Sequence, residues 1–279
     1  MDNLAMRMCF TPHHEELEDI IHHTKPEGKK VLSVSAYGYP FAFLAAGASH
    51  VKAFDVSKYS VAWNMALRAA VTALNYNENR ALMCQELDNI EPVLKRIAEH
   101  VPTDYRELVL DMVRSYYGAD VEEVEACRLS KYDKQKITNY YPHIANKDNF
   151  DKVKKAVLAG GLEIEEGELI SMLERSKDVD VVYASSIRDW VRSYNYRSND
   201  DGFIEEYEKN LAKTLKNVLS NGGIFYDFFI RTNFAGSFVP PKEIPMQESI
   251  YDFLTITRYK NDELADGDEL TVITIATKK

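Results

Sequence analysis

The spacing of apolar and polar positions lays out a series of β-α units. Lys30-Val-Leu-Ser-Val-Ser-Ala36 is an apolar, β-branched run of strand length. The turn residues Tyr37-Gly38-Tyr39-Pro40 follow it, then an apolar helix from Phe41 to Ala46 with Gly47 just beyond. His50 to Val56 predicts a second strand ending in an acid, Asp55. Tyr59 to Leu74 predicts a helix, because Val61, Ala62, Met65, Ala69 and Ala70 recur at helical spacing. Ahead of these units, residues 11–25 predict a helix with Thr11 as cap, Pro12 at the first helical position and acids in the early turns.

The rhythm then breaks. From about 75 to 155, tyrosines 105, 116, 117, 132, 140 and 141 stand among charged residues, with helical periodicity at 90–97 and 105–113 and no good strand. This predicts a helical insertion. A third strand is expected from Gly161 to Leu169 and a buried fourth from Asp180 to Ser185. A helix from Phe203 to Leu219, closed by Asn221-Gly222-Gly223, should lead into a strand from Ile224 to Ile230. Two β-rich runs, Tyr251–Tyr259 and Glu269–Thr277, flank a turn-rich connector and predict a terminal hairpin. The fold class is therefore α/β, a doubly wound, mostly parallel sheet with a C-terminal antiparallel hairpin, expected as a single domain over residues 1–279.

Composition narrows the function classes. The chain has 279 residues, 45% of them hydrophobic, and 34 Lys+Arg against 44 Asp+Glu give a net charge of −10. That is ample for a buried core without staples and unfavourable for nucleic acid or anionic lipid. Residues 1–10 lack the basic and apolar regions of a signal peptide, and the apolar stretch from Val31 to Ala48 is broken by Ser33, Ser35, Gly38 and Pro40, so no membrane span is expected. Cys9, Cys84 and Cys127 match no zinc or redox spacing, which suits free thiols in a reducing, cytoplasmic setting. His13-His14 and His22-His23 flank a Glu-rich helix and read as a solvated face, so no metal site is expected.

The candidate chemistry lies where the first two strands end. In an open parallel sheet, ligands bind outside the carboxyl ends of the strands, where the first turn admits backbone and an acid ends the next strand. Here those positions are Ser35, Ala36, Tyr37 and Gly38, and then Asp55, which stands 17 residues after Gly38 (55 − 38). A carboxylate there accepts hydrogen bonds from both hydroxyls of a ribose. The loop reads S-A-Y-G-Y-P with one glycine, whereas a pyrophosphate needs G-x-G-x-x-G, which argues against NAD and FAD. A nucleoside cofactor without phosphates fits, and S-adenosylmethionine is the common one. The alternative is a doubly wound domain whose Asp55 merely caps a helix.

The line VLSVSAYGYPFAFLAAGASHVKAFDVSKYSVAWNMALRAAVTALNYNE, with the later YASSIRDWV, resembles the betaine-lipid type of S-adenosylmethionine 3-amino-3-carboxypropyl transferases, within the class I methyltransferase-like fold. Gly38, Asp55, Ala69-Ala70, Leu74, Tyr76, Ser185, Asp189 and Trp190 match that pattern. Ser186 stands where the family usually has Asn, and Val56-Ser57 where it has Leu/Val-Asn. The likeness covers roughly 30–80 and 160–230. It implies cofactor contacts at Ser35 to Gly38, Asp55, Val56, Ser185, Ser186 and Trp190. Members acting on diacylglycerol are longer and carry a lipid-facing portion, so the acceptor expected here is a small molecule.

The segment Ser185 to Arg192 leaves a central strand, where Asp189 could take a proton from the acceptor and Trp190 or Tyr194 could face the cofactor's cation. The plainer reading has Asp189 capping a helix and Trp190 in the core. Glu168, expected at the end of the third strand, could meet an adenine amino group, although it also reads as a solvated acid. Cofactor motifs do not separate aminocarboxypropyl transfer from methyl transfer, from an intramolecular reaction of the cofactor, or from a binding module without turnover. The preference for the first rests on the family resemblance.

Overall fold

The computed structural model describes residues 17–35, 38–118, 141–185, 187–188, 191, 201–231, 246, 249–261 and 270–279. In chain order the elements are α1 (Leu17–Thr24), β1 (Lys30–Val34), α2 (Tyr39–Ala45), β2 (His50–Asp55), α3 (Lys58–Ala73), α4 (Tyr76–Met83), α5 (Glu91–Ala98), a 3-10 turn (Thr103–Tyr105) and α6 (Arg106–Gly118). They continue with α7 (Pro142–Ala145), α8 (Lys147–Leu158), β3 (Leu162–Glu166), α9 (Leu169–Glu174), β4 (Val179–Tyr183), α10 (Asp201–Val218), β5 (Leu219–Arg231), β6 (Leu254–Asn261) and β7 (Leu270–Lys278). The strands follow the order β3-β2-β1-β4-β5-β7-β6. β2–β3 and β4–β5 are parallel, and β7 runs antiparallel to both β5 and β6. This is the α/β sheet with parallel pairs and an antiparallel C-terminal hairpin expected from the sequence. Contacts group the chain into two compact units, Met1–Lys29 with Ser33–Gly167, and Lys30–Leu32 with Glu168–Lys279.

In the first unit β2 and β3 run in register from Val51↔Leu162 to Asp55↔Glu166, so the two strands end together. Helix α3 follows β2 and is buried on more sides than its apolar stripe predicts. Trp63, Asn64, Ala66, Leu67 and Val71 are buried beside the expected Val61, Ala62, Met65, Ala69 and Ala70. A helix enclosed all round needs cover beyond the sheet. The insertion supplies it, with α5, α6 and α8 packing on α3. The Trp63 indole donates to the Tyr141 hydroxyl at 3.2 Å and lies 5.1 Å from the Tyr116 ring. Asn75 opens the insertion with a capping box, accepting from the Glu78 N–H at 3.0 Å while the Glu78 carboxylate accepts from the Asn75 N–H at 2.9 Å. Among the described residues of the insertion there is no strand.

Two expectations need correction in the second unit. Asn221-Gly222-Gly223 lies inside β5, not ahead of it. Register passes from Val179↔Leu219 to Val181↔Ile224, so Ser220–Gly223 bulges opposite the single residue Asp180. Gly222 takes φ +76°, which a side chain disfavours, and the Asp180 carboxylate accepts from both Ser220 Oγ at 2.6 Å and the Lys30 N–H at 2.9 Å. Glu168 is also displaced. β3 ends at Glu166, and Glu168 is exposed at the cap position of α9, because Gly167 turns the chain by donating to the Asp55 carbonyl at 2.9 Å.

Candidate functional site

The first unit brings Ser35, Gly38, Asp55 and Val56 to neighbouring strand ends. The Ser35 N–H donates to the Phe54 carbonyl at 2.6 Å, which seats the β1 exit beside the tip of β2. Gly38 is buried at the cap of α2 with φ −101°, a conformation open to any residue, so glycine is not required there for a left-handed turn. The carboxylate of Asp55 accepts from the Ser57 N–H at 2.8 Å, just ahead of α3. Burial raises its pKa above the usual carboxylate range, although hydrogen bonds from Ser57, Ser60 and Val56 pull the other way. Val56 is 66% exposed, an apolar side chain left in solvent next to a desolvated acid. Ala36 and Tyr37 lie outside the described residues.

Asn64, which in the sequence is one more position of a core helix, joins these parts. Its Nδ2 donates to the Ser35 carbonyl at 2.7 Å and to the Ser60 carbonyl at 3.0 Å. One amide thus fastens the β1 exit to the first turn of α3. Its periodicity is that of a core residue, and a polar side chain among alanines is the only hint the sequence holds.

In the second unit the β4 exit is held by a charged cluster with no signal in the sequence. Arg188 is 2% exposed, and its guanidinium reaches Glu208 of α10 through three contacts of 3.0 to 3.1 Å. It also binds Asp227 of β5 at 2.5 Å, and the Tyr251 hydroxyl donates to Glu208. Burial opposes the charge on Arg188, but Asp227 and Glu208 outweigh it and hold its pKa above the ordinary arginine value. The Tyr251 phenol is held neutral by burial. The Tyr207 hydroxyl is buried without a hydrogen-bond partner, and burial raises its pKa too. Ser185 is buried with φ +49°, an uncommon conformation for a side chain, and its carbonyl accepts from the Phe228 N–H at 3.0 Å. Ser186, Asp189, Trp190 and Tyr194 lie outside the described residues.

Elsewhere, the His22 and His23 rings meet edge-on 5.1 Å apart, and burial followed by the neighbouring His22 lowers the pKa of His23. His13, His14, Cys9 and Cys127 are outside the described residues, and Cys84 is buried. Among the described residues no group of three or more His, Cys, Asp or Glu could hold a metal, and no helix is long and apolar enough to cross a membrane.

These electrostatics make two variants informative. Arg188→Met leaves Glu208 and Asp227 as buried carboxylates without their cation, and urea unfolding at pH 7 should show a loss of about 3–5 kcal/mol. A loss below about 1 kcal/mol, the value of an exposed pair, would contradict a buried cluster. Asp55→Asn keeps an oxygen for the Ser57 N–H and removes a charge that burial disfavours. With the folded pKa raised, ionisation penalises the folded state fully above that pKa and not at all below the unfolded value. The Asn variant should therefore gain stability over the native protein as pH rises through the carboxylate range, and a pH-independent difference would refute the desolvation.

No family model matches this chain, and no curated protein matches it. Among solved structures it is similar to a precorrin 8W decarboxylase of Methanobacterium thermoautotrophicum, with 10% identity and a TM-score of 0.37 over 96% of this chain and 94% of that one. It is also similar to the rRNA methyltransferase AviRa from Streptomyces viridochromogenes, with 11% identity and a TM-score of 0.34 over 98% and 92%. Likeness at this level carries no functional argument, and the fold assignment stands on the strand order itself.

Proposed function

We propose that this chain binds S-adenosylmethionine and transfers its 3-amino-3-carboxypropyl group to a small acceptor. The observation that carries the cofactor reading is the desolvated Asp55 carboxylate at the tip of β2, beside the β1 exit, in a sheet of methyltransferase-like order. In the reading, Asp55 accepts from the ribose hydroxyls, the exposed side chain of Val56 lies against the base, and the amino-acid end follows Ser35 to Gly38. Glu168 is assigned to the adenine amino group, Ser185, Ser186 and Trp190 to the cofactor, and Asp189 with Tyr194 to the acceptor.

Bound S-adenosylmethionine supplies a sulfonium, which activates each of its three attached carbons toward a nucleophile. What the protein adds is alignment, so that one carbon faces the acceptor. Asp189 would take the proton that the acceptor loses on alkylation, and Trp190 would shield the cation. The preference for the γ-carbon over the methyl comes from the family resemblance described above. Bulky Tyr37 and Tyr39 around one glycine also suit a remodelled seat for the amino-acid end.

Product analysis tests the transfer. Incubation with S-adenosylmethionine and a metabolite extract should release 5′-methylthioadenosine faster than a control without protein. Release of S-adenosylhomocysteine with a methylated acceptor would replace this reading by methyl transfer. Binding with no turnover across a broad acceptor panel would leave a binding module.

A further inference from the structure

Ser35 and Asn64 carry a second message. Both side chains are 0% exposed, and the Ser35 hydroxyl and the Asn64 Oδ1 have no hydrogen-bond partner. Buried polar atoms are nearly always paired, so two orphans on residues joined by a 2.7 Å bond call for a missing group. The amide orientation is fixed. Asn64 faces two carbonyl oxygens, those of Ser35 and Ser60, and only Nδ2 can donate to them. Oδ1 must therefore point elsewhere, as an acceptor awaiting a donor.

We propose that Ser35 Oγ and Asn64 Oδ1 together recognise a primary ammonium, that of the amino-acid end of the nucleoside bound at Asp55. This rests on the S-adenosylmethionine reading and deepens it. An amide oxygen only accepts, and a serine hydroxyl accepts as readily as it donates. A group with several N–H donors satisfies both at once. A phosphate or carboxylate would set its own oxygens against Oδ1, so the same pair selects against phosphorylated nucleotides. The α-ammonium carries its own carboxylate on the adjacent carbon, which lowers the cost of enclosing the charge. Asn64 thus both positions the β1 exit through Nδ2 and binds ligand through Oδ1.

Ser35→Ala isolates the ligand contact. Its hydroxyl makes no bond within the protein, so its removal should leave the thermal unfolding midpoint unchanged or higher. Asn64→Ala, which forfeits two internal hydrogen bonds, is expected to melt earlier and serves as the contrast. Titration calorimetry on the full chain would compare S-adenosylmethionine with 5′-methylthioadenosine, which has the nucleoside but no amino-acid end. For Ser35→Ala, S-adenosylmethionine should bind about tenfold more weakly or worse, with 5′-methylthioadenosine unchanged within about twofold. Equal weakening of both ligands, or of neither, would overturn the ammonium assignment while the cofactor reading stands. If the native chain binds neither nucleoside, the cofactor reading falls and takes this inference with it.

Discussion

At the carboxyl end of β1 the architecture of the first unit depends on one buried amide. Asn64 Nδ2 bridges the Ser35 and Ser60 carbonyls, and this pair of hydrogen bonds sets where the β1 exit lies relative to the first turn of α3. Each hydrogen bond contributes only about 1 kcal/mol net, yet leaving either buried carbonyl without it would cost about 1–3 kcal/mol. Leucine would match Asn64 in size and fail on that account. The Asp55 carboxylate sits in the same junction, accepting from Ser57 three residues before Ser60. Strand end, acid and helix start are therefore mutually fixed, which holds a carboxylate in place at the expense of its solvation.

The second unit solves a similar problem with charge. The loop leaving β4 starts with a left-handed serine, a conformation that costs roughly 1–2 kcal/mol for a residue with a side chain. Three residues on, Arg188 is clamped by Glu208 from α10 and Asp227 from β5, with Tyr251 closing on Glu208. Such a cluster tolerates no missing member, since a lone buried charge is far worse than none. The loop backbone is thereby held from two elements, so the strained Ser185 has surroundings that over-determine it.

The strand-turn-helix around Gly38, the acid at Asp55, the helical insertion and the terminal hairpin are legible in the sequence because each is written in local periodicity or turn chemistry. What stays hidden is non-local or depends on three-dimensional pairing. Arg188, Glu208, Asp227 and Tyr251 are scattered over more than sixty positions and meet only on folding. The Ser220–Gly223 bulge reads as a helix stop because Gly222-Gly223 serves either purpose, and only pairing with β4 decides. Glu168 falls two residues beyond the end of β3, because the run Glu163–Glu168 gives no local stop before Gly167. Asn64 is the instructive case, since one polar residue inside an alanine-rich helix looks like tolerated noise until its two carbonyl partners are seen.

In the proposed reading the nucleoside cofactor is held where β1 and β2 end. Amide hydrogen exchange of the full chain with and without saturating S-adenosylmethionine tests it whatever the acceptor is. Slowed exchange is expected in peptides spanning residues 33–38 and 54–60. Protection confined to other segments, with binding confirmed in the same sample, would contradict it.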